Sequence, residues 1–407
     1  MNLYIFNETR RGAVFGIGTY VCELISALKN SDIHLCVVNL LSDRPQITME
    51  ESGNVQYWYF PEPIPDVRVA GSSEQRRMYF HNVVYLLQLY IQDRTDLLFH
   101  LNFPQCEGLV DELKNAFDCK VVSVVHFSQW GFAVFDNLPR LRSILNEENP
   151  DSSNEEIKKV FEEDRSYYSK VDCCVCLSEY MREILCREYE LDAVHISVVP
   201  NGLSDVPDVA VDIESLRKKW NIQAGEKIIL FVGRLDDVKG IVYLIRAFRT
   251  VLEICPEARL IIAGSGNFDT CLREAKTICT KVTFTGLLEK EELYELYRMA
   301  AVGVVSSLFE PFGYVAVEMM IHTVPLVVTA TSGLNEVVDS ACGLKIPLTV
   351  LPDRVEIDTL LLAQKIVYLL QHPEEAKVLG LNGRKRYLAN YSSEIFRRNM
   401  FHLYQSL

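Results

Sequence analysis

Residues 228–248, "IILFVGRLDDVKGIVYLIRAF", read as a strand, a loop and the start of a helix. Residues 228–232 are apolar at every position, the pattern of a strand buried on both faces. The run stops at Gly233, a polar loop follows, and from about Lys239 or Gly240 apolar residues return at helical spacing. A buried strand feeding a helix is the repeating unit of a parallel sheet covered by helices.

Read outward from there, the same alternation fills the chain. In the first half the β-branched, apolar runs predict strands at 3–6, 35–40, 55–60, 97–100, 121–125, 173–177 and 196–199. In the second half they predict strands at 228–232, 260–263, 282–285, 302–306, 326–328 and 344–346. The fold class is therefore α/β: two doubly wound parallel-sheet units, one after the other. Between them "VPNGLSDVPDVAVD", residues 199–212, breaks both periodicities with two prolines and an Asn-Gly turn and reads as the linker. Residues 356–405 read as mostly helical, with a fresh helix after Pro373. Residues 1–203 are assigned to a first domain, completed by a C-terminal helix within 390–407, and residues 204–389 to a second.

Composition bounds the function. A chain of 407 residues, 49% hydrophobic and 24% charged, has room for two cores. Its formal charge of -14, with no dominant Lys/Arg tract, excludes a general nucleic-acid binder. The start "MNLYIFNETRRG" lacks the charged and apolar regions of a leader, and no uncharged apolar run is long enough for a bilayer, so a cytoplasmic protein is expected. Twelve scattered cysteines then read as reduced thiols, and the Cys173/Cys176 pair in "VDCCVCLS" as core packing. The apolar helix at 72–92, with Ser73 as N-cap, is expected to be buried against the sheet or between domains; its Arg76 and Arg77 leave open a contact with a membrane surface or lipid acceptor.

The loops after the strands carry the chemistry. Arg234 and Lys239 lie at a strand's carboxyl end, where open α/β sheets bind ligands, and two cations there suit a diphosphate. A surface loop neutralised by Asp236 and Asp237 is the competing reading. Gly264 and Gly286 close two further strand-end turns on the same sheet edge. Near the N-terminus, "NETRRGAVFGIGTYVCELISAL" places Gly16 and Gly18 at a helix start, equally suited to a structural turn or an anion loop. The dinucleotide fingerprint is incomplete there.

In "SSLFEPFGYVAVEMM", residues 306–320, Glu310 falls in a loop before Pro311, which suits a first helical position, and Glu318 about two turns into the helix. Were the segment helical throughout, the two glutamates would be separated by about 12 Å of rise and roughly 80° of rotation, unlike a facing acid/base pair. They read as two fixed acceptors, with the N–H groups near Gly313, Tyr314 and Val315 directed at whatever sits at the helix start.

The segment "EPFGYVAVE" resembles the E-x7-E motif of the retaining GT-B glycosyltransferases of family 4. "GIGTYVCEL", "VVHF", "VVPNGL", "VGRLDDVKG", "IAGSG" and "VTFTG" are similar to that family in order and spacing, so the resemblance covers most of the chain. It implies a GT-B fold with two Rossmann-like domains facing a central cleft. It implies transfer of a hexosyl unit, with retention, from a UDP- or GDP-sugar to a hydroxyl of a polysaccharide, lipid-linked glycan, peptide or small metabolite. Glu310 would hold the donor sugar, Glu318 the ribose, and Arg234 and Lys239 the diphosphate, assisted by Gly16, while His126 would face the sugar. Gly264, Gly286, Gly313, Tyr314 and Val315 would line the nucleotide site. No cofactor is implied beyond the nucleoside-diphosphate sugar that serves as donor. No Asp-x-Asp motif is present, and no metal is expected. A monomer or homodimer, peripheral to the inner membrane face at most, is in keeping with the family. A sugar-nucleotide epimerase, a phosphorylase and a silent partner subunit share the architecture. The sequence departs from many relatives at Phe127, where aspartate often follows the histidine, and at Phe15, where glycine often stands. Glu336 in "SGLNEVV" reads as a cap or turn residue.

Overall fold

A computed structural model describes residues 1–8, 16–63, 73–103, 107–207 and 212–407. The start of the glycine loop including Phe15, linker positions 208–211 and the Ser73 side chain lie outside the described residues. The chain divides into two compact units. One comprises Met1–Ser128, Asp151–Gly202 and Ser393–Leu407, and the other Gln129–Pro150 and Leu203–Ser392.

Among the described residues the first unit holds eight strands: β1 (Asn2–Glu8), β2 (His34–Ser42), β3 (Thr48–Ser52), β4 (Val55–Pro61), β5 (Leu97–Leu101), β6 (Cys119–Val125), β7 (Cys173–Cys176) and β8 (Ile196–Val198). They are ordered β3-β4-β2-β1-β5-β6-β7-β8. All neighbours pair in parallel except β3, which runs antiparallel to β4 at the edge. The seven predicted runs are the six inner strands β4, β2, β1, β5, β6 and β7 and the edge strand β8. The edge strand β3 escapes prediction because it is mostly solvent-exposed and reads "TMEES", with no apolar face to mark it.

The second unit contains β9 (Lys227–Val232), β10 (Ala258–Ala263), β11 (Val282–Gly286), β12 (Ala300–Val305), β13 (Leu326–Thr329) and β14 (Gly343–Ile346). These form an all-parallel sheet in the order β11-β10-β9-β12-β13-β14. A separate antiparallel pair, β15 (Leu348–Val350) and β16 (Val355–Ile357), is not expected from the sequence; only Glu356 and Ile357 of it fall within residues 356–405, which read as mostly helical. The helices Thr359–Gln371, Pro373–Asn390 and Ser393–Gln405 follow it. The opening unit behaves as its pattern demands. In the helix Ile241–Ile254, residues Ile241, Leu244, Ile245, Ala247, Phe248 and Val251 are buried on one face against the sheet. Each large member contributes about 1.5–3 kcal/mol by leaving water.

Residues 129–150 group with the second unit, although they precede the linker. Asn137 Nδ2 donates to Leu351 O at 2.7 Å, and the rings of Phe132 and Phe309 meet edge-on at 5.1 Å. Such long-range contacts leave no mark on local periodicity. The helix Ser73–Tyr90 buries Phe80, Val83, Val84 and Leu87, while Met78, Tyr85 and Leu89 are exposed. Among the described residues no helix is long and apolar enough to cross a membrane. Cys173, Cys174 and Cys176 are buried in β7, and burial pushes their thiols up.

One buried carboxyl opposes folding at neutral pH. Asp164, on the helix Ser152–Lys170, is 1% exposed, and its Oδ1 has no hydrogen-bond partner among the described residues. Burial, reinforced by the charge of Glu163, pushes it up to about 7. Between the unfolded value of 3.8 and about 7, only the unfolded chain releases the proton, so stability falls as pH rises through that window and then levels off. Asp164→Asn is expected to raise stability by about 2 kcal/mol at pH 8 and to make little difference at pH 4. The full linkage is not recovered, because the amide inherits the same poorly partnered site. Thermal unfolding at the two pH values checks this.

Candidate functional site

The carboxyl ends of β9 and β12, neighbours in the second sheet, bring the predicted cations and one glutamate together. After β9 the chain turns at Gly233, passes Arg234, and forms a single 3₁₀ turn, Asp237–Lys239, before the helix. Asp236 caps that turn, its Oδ1 accepting the Lys239 N–H at 3.1 Å. The loop after β12 is stitched to this one. Leu308 N–H donates to Val238 O at 2.7 Å, and Ser306 Oγ donates to Lys239 O at 3.1 Å. The stitching delivers Lys239 Nζ to Glu310 Oε2 at 2.5 Å, with the two side chains 21% and 14% exposed. Ser307 Oγ donates to the same carboxylate oxygen at 3.0 Å.

Arg234 pairs through Nε with Asp236 Oδ2 at 3.1 Å, and its guanidinium lies 5.7 Å from the Phe132 ring centroid. Asp236 therefore does neutralise Arg234 as the surface-loop reading expects, while it also shapes the turn that presents Lys239. Gly264 and Gly286 follow β10 and end β11 on the same edge. Gly264 N–H donates to Gly286 O at 2.8 Å, and Gly233 N–H donates to Ala263 O at 3.0 Å.

The helix after Glu310 begins later than the sequence suggests. Pro311 is not its first residue: Gly313, at φ 103°, is the N-cap and Tyr314 the first helical position. That left-handed backbone cannot belong to a right-handed helix and is costly for any residue with a Cβ. Glu318 consequently sits just over one turn into the helix Tyr314–Ile321 instead of two. It is half-buried and bonded to Tyr297, whose hydroxyl donates to Oε2 at 2.7 Å. Burial raises the Glu318 carboxyl, and the Tyr297 hydrogen bond opposes the rise. Val315 occupies the first turn beside Tyr314. Glu336 lies in the short helix Leu334–Val337, its carbonyl accepting from Arg386 Nη2 at 2.7 Å.

In the first unit, Gly16 opens the helix Gly16–Leu28, and His126 follows β6. His126 Nε2 lies 3.1 Å from Asn102 Oδ1, while Asn102 Nδ2 donates to Phe6 O at 3.1 Å. The second bond fixes the amide, so Oδ1 accepts and Nε2 carries the proton. Burial, then the neighbouring His100, pushes His126 down to about 3, so the neutral ring keeps a lone pair on Nδ1. His100 is itself fully buried between the hydroxyls of Tyr20 and Tyr404, the latter from the helix Ser393–Gln405.

Two side chains that hold the glutamates escape sequence reading. Ser307 lies three residues before Glu310 in "SSLFE", a spacing that would have drawn attention only if Glu310 were already known to face back along the loop. Tyr297 comes from the helix Lys290–Met299, where it reads as one more apolar position.

The second unit matches the family model "Glycosyl transferases group 1" over residues 212–386, and the first matches "Glycosyltransferase Family 4" over residues 14–205. With both models matched in order along its length, the chain belongs to the family 4, group 1 glycosyltransferases of GT-B fold. It is 36% identical over 183 residues to an uncharacterized glycosyltransferase of Methanocaldococcus jannaschii, a match covering 42% of this chain and 46% of that one. The chain spans less than half the length of the first curated relatives it matches. Sucrose-phosphate synthase from Thermosynechococcus elongatus shares the fold with a TM-score of 0.76 at 22% identity, covering 100% of this chain and 98% of that one. The Anabaena protein HepE in complex with UDP-glucose shares it with a TM-score of 0.71 at 16% identity, covering 100% of both chains.

Proposed function

We infer that the protein transfers a hexosyl unit, with retention, from a UDP- or GDP-sugar to a hydroxyl of a glycan, lipid-linked or peptide acceptor. The observation that carries this reading is the meeting of Lys239 with Glu310 beside Arg234, at the carboxyl ends of adjacent parallel strands. As the glycosyl bond breaks, negative charge grows on the leaving diphosphate. Lys239 and Arg234 are fixed cations where such charge develops and hold it without reorganisation. Glu310, steadied on one oxygen by Lys239 and Ser307, offers its other oxygen to sugar hydroxyls. Glu318, a turn into the next helix, takes the ribose hydroxyls. The neutral His126 ring accepts a hydroxyl hydrogen bond at Nδ1. Family membership and the UDP-glucose bound by HepE favour a nucleotide-sugar donor.

A thermal-shift screen of nucleotide sugars tests the donor, because a ligand bound only by the folded state raises its melting temperature. UDP- or GDP-sugars are expected to give the largest shifts. Incubation of that donor, labelled in the sugar, with candidate acceptors is expected to give a glycoside of unchanged anomeric configuration. Release of an epimerised nucleotide sugar or a sugar phosphate would overturn the transferase reading. Glu318→Gln is expected to weaken donor binding about tenfold with a smaller effect on turnover at saturation, since a neutral amide is a poorer acceptor for two hydroxyls. Calorimetric titration of the nucleotide checks this.

A further inference from the structure

We propose that Tyr297 is the positioning residue for Glu318, fixing Oε2 through its hydroxyl so that Oε1 is the oxygen offered to the nucleotide ribose. The proposal rests on the reading of Glu318 as the ribose acceptor. Tyr297 and Glu318 belong to different helices, Lys290–Met299 and Tyr314–Ile321, so their 2.7 Å hydrogen bond links two elements instead of decorating one. Among the described residues no other side chain bonds to either oxygen of Glu318. The tyrosine is well suited to hold its partner still. It is 1% exposed, and its ring is flanked by Tyr294 at 6.4 Å and His322 at 5.1 Å. A buried ring gripped on two sides has little rotamer freedom, so its hydroxyl is a fixed donor.

The charge environment gives the role a signature. Glu318 faces Tyr297 and Lys290 from one helix, while His322 closes its own helix. His322 Nδ1 donates to the backbone O of Glu318 at 2.8 Å, and burial lowers its basicity, which disfavours a positive charge beside the carboxylate. Burial and the adjacent carboxylate keep the Tyr297 hydroxyl protonated. Burial of Glu318 favours its protonated form, and the Tyr297 hydroxyl works against that. Without this hydroxyl the carboxyl would ionise only at higher pH, and a protonated carboxyl is the poorer acceptor. Loss of affinity should therefore be greatest in acid and shrink as pH rises.

The test is Tyr297→Phe, which keeps the ring and its packing, with UDP and GDP titrated in parallel between pH 5.5 and 8.5. For the nucleotide that binds, the dissociation constant is expected to exceed that of the unaltered protein about tenfold at pH 5.5 and less than threefold at pH 8.5. Turnover at saturating donor should be nearly unchanged. A ratio near one throughout overturns the proposal. So does a pH-independent loss accompanied by a lower melting temperature, which would mark Tyr297 as merely structural. Glu318→Gln, measured alongside, separates the two ideas. If it leaves affinity unaltered, the ribose role falls and the positioning role with it; if it weakens binding while Tyr297→Phe does not, only the positioning role falls.

Discussion

Lys239→Ala and Glu310→Gln are each expected to lower turnover by about a hundredfold or more while leaving the melting temperature within a few degrees. A hundredfold corresponds to about 3 kcal/mol of transition-state stabilisation, the scale of losing one preorganised charge contact. The two substitutions remove different parts of one arrangement. Without Lys239, Glu310 keeps its Ser307 bond but loses the cation 2.5 Å away, and the diphosphate loses a point charge. With glutamine at 310 the shape survives but the acceptor is neutral, and Lys239 no longer has an anion holding it in place. Neither side chain belongs to the hydrophobic core, so the fold should tolerate both. Steady-state rates with the preferred donor, with melting curves beside them, check the pair. Near-normal transfer by either variant would remove that residue from the mechanism.

The second large effect lies in a residue with no side chain. Gly264→Ala is expected to destabilise the second unit by about 4 kcal/mol, or roughly 10 °C in melting temperature, and to weaken donor binding as well. Gly264 has φ 146°, and a Cβ there would fall 1.8 Å from Gly233 O. The clash is with backbone, so no rotamer change relieves it. Relief requires the ends of β9 and β10 to separate, which breaks the bonds Gly233 N–H to Ala263 O and Leu235 N–H to Ser265 O, at 3.0 and 2.8 Å. Each is worth about 1 kcal/mol, and the backbone strain adds more. Arg234 stands between these two bonded residues, so its loop moves with them. Differential scanning calorimetry and nucleotide titration of the same variant would show whether stability and binding fall together.

These variants also mark how far the chain could be read in advance. The central strands of both sheets are legible because a strand buried on both faces must be apolar throughout. The edge strand β3 and the pair β15 and β16 carry no such pattern, since they are short and largely or partly exposed. Pro311 suggests a helix start, yet the left-handed Gly313 delays the helix to Tyr314. A proline's fixed φ allows a helix to begin but does not compel it.

What the sequence by itself determined was the alternation of buried strands and amphipathic helices, and hence which loops fall at strand ends with Arg234, Lys239, Gly264, Gly286 and Glu310 on them. Periodicity and chain order suffice for that, because burial on both faces and the right-handed crossover leave few alternatives. Only the tertiary structure decided which side chains from separate loops and helices meet. Lys239 reaches Glu310 because β9 and β12 are neighbours in the sheet though 67 residues separate Lys239 from Ser306, and Tyr297 reaches Glu318 because two helices place them side by side. Those pairings depend on distances across the fold, which no local pattern of residues encodes.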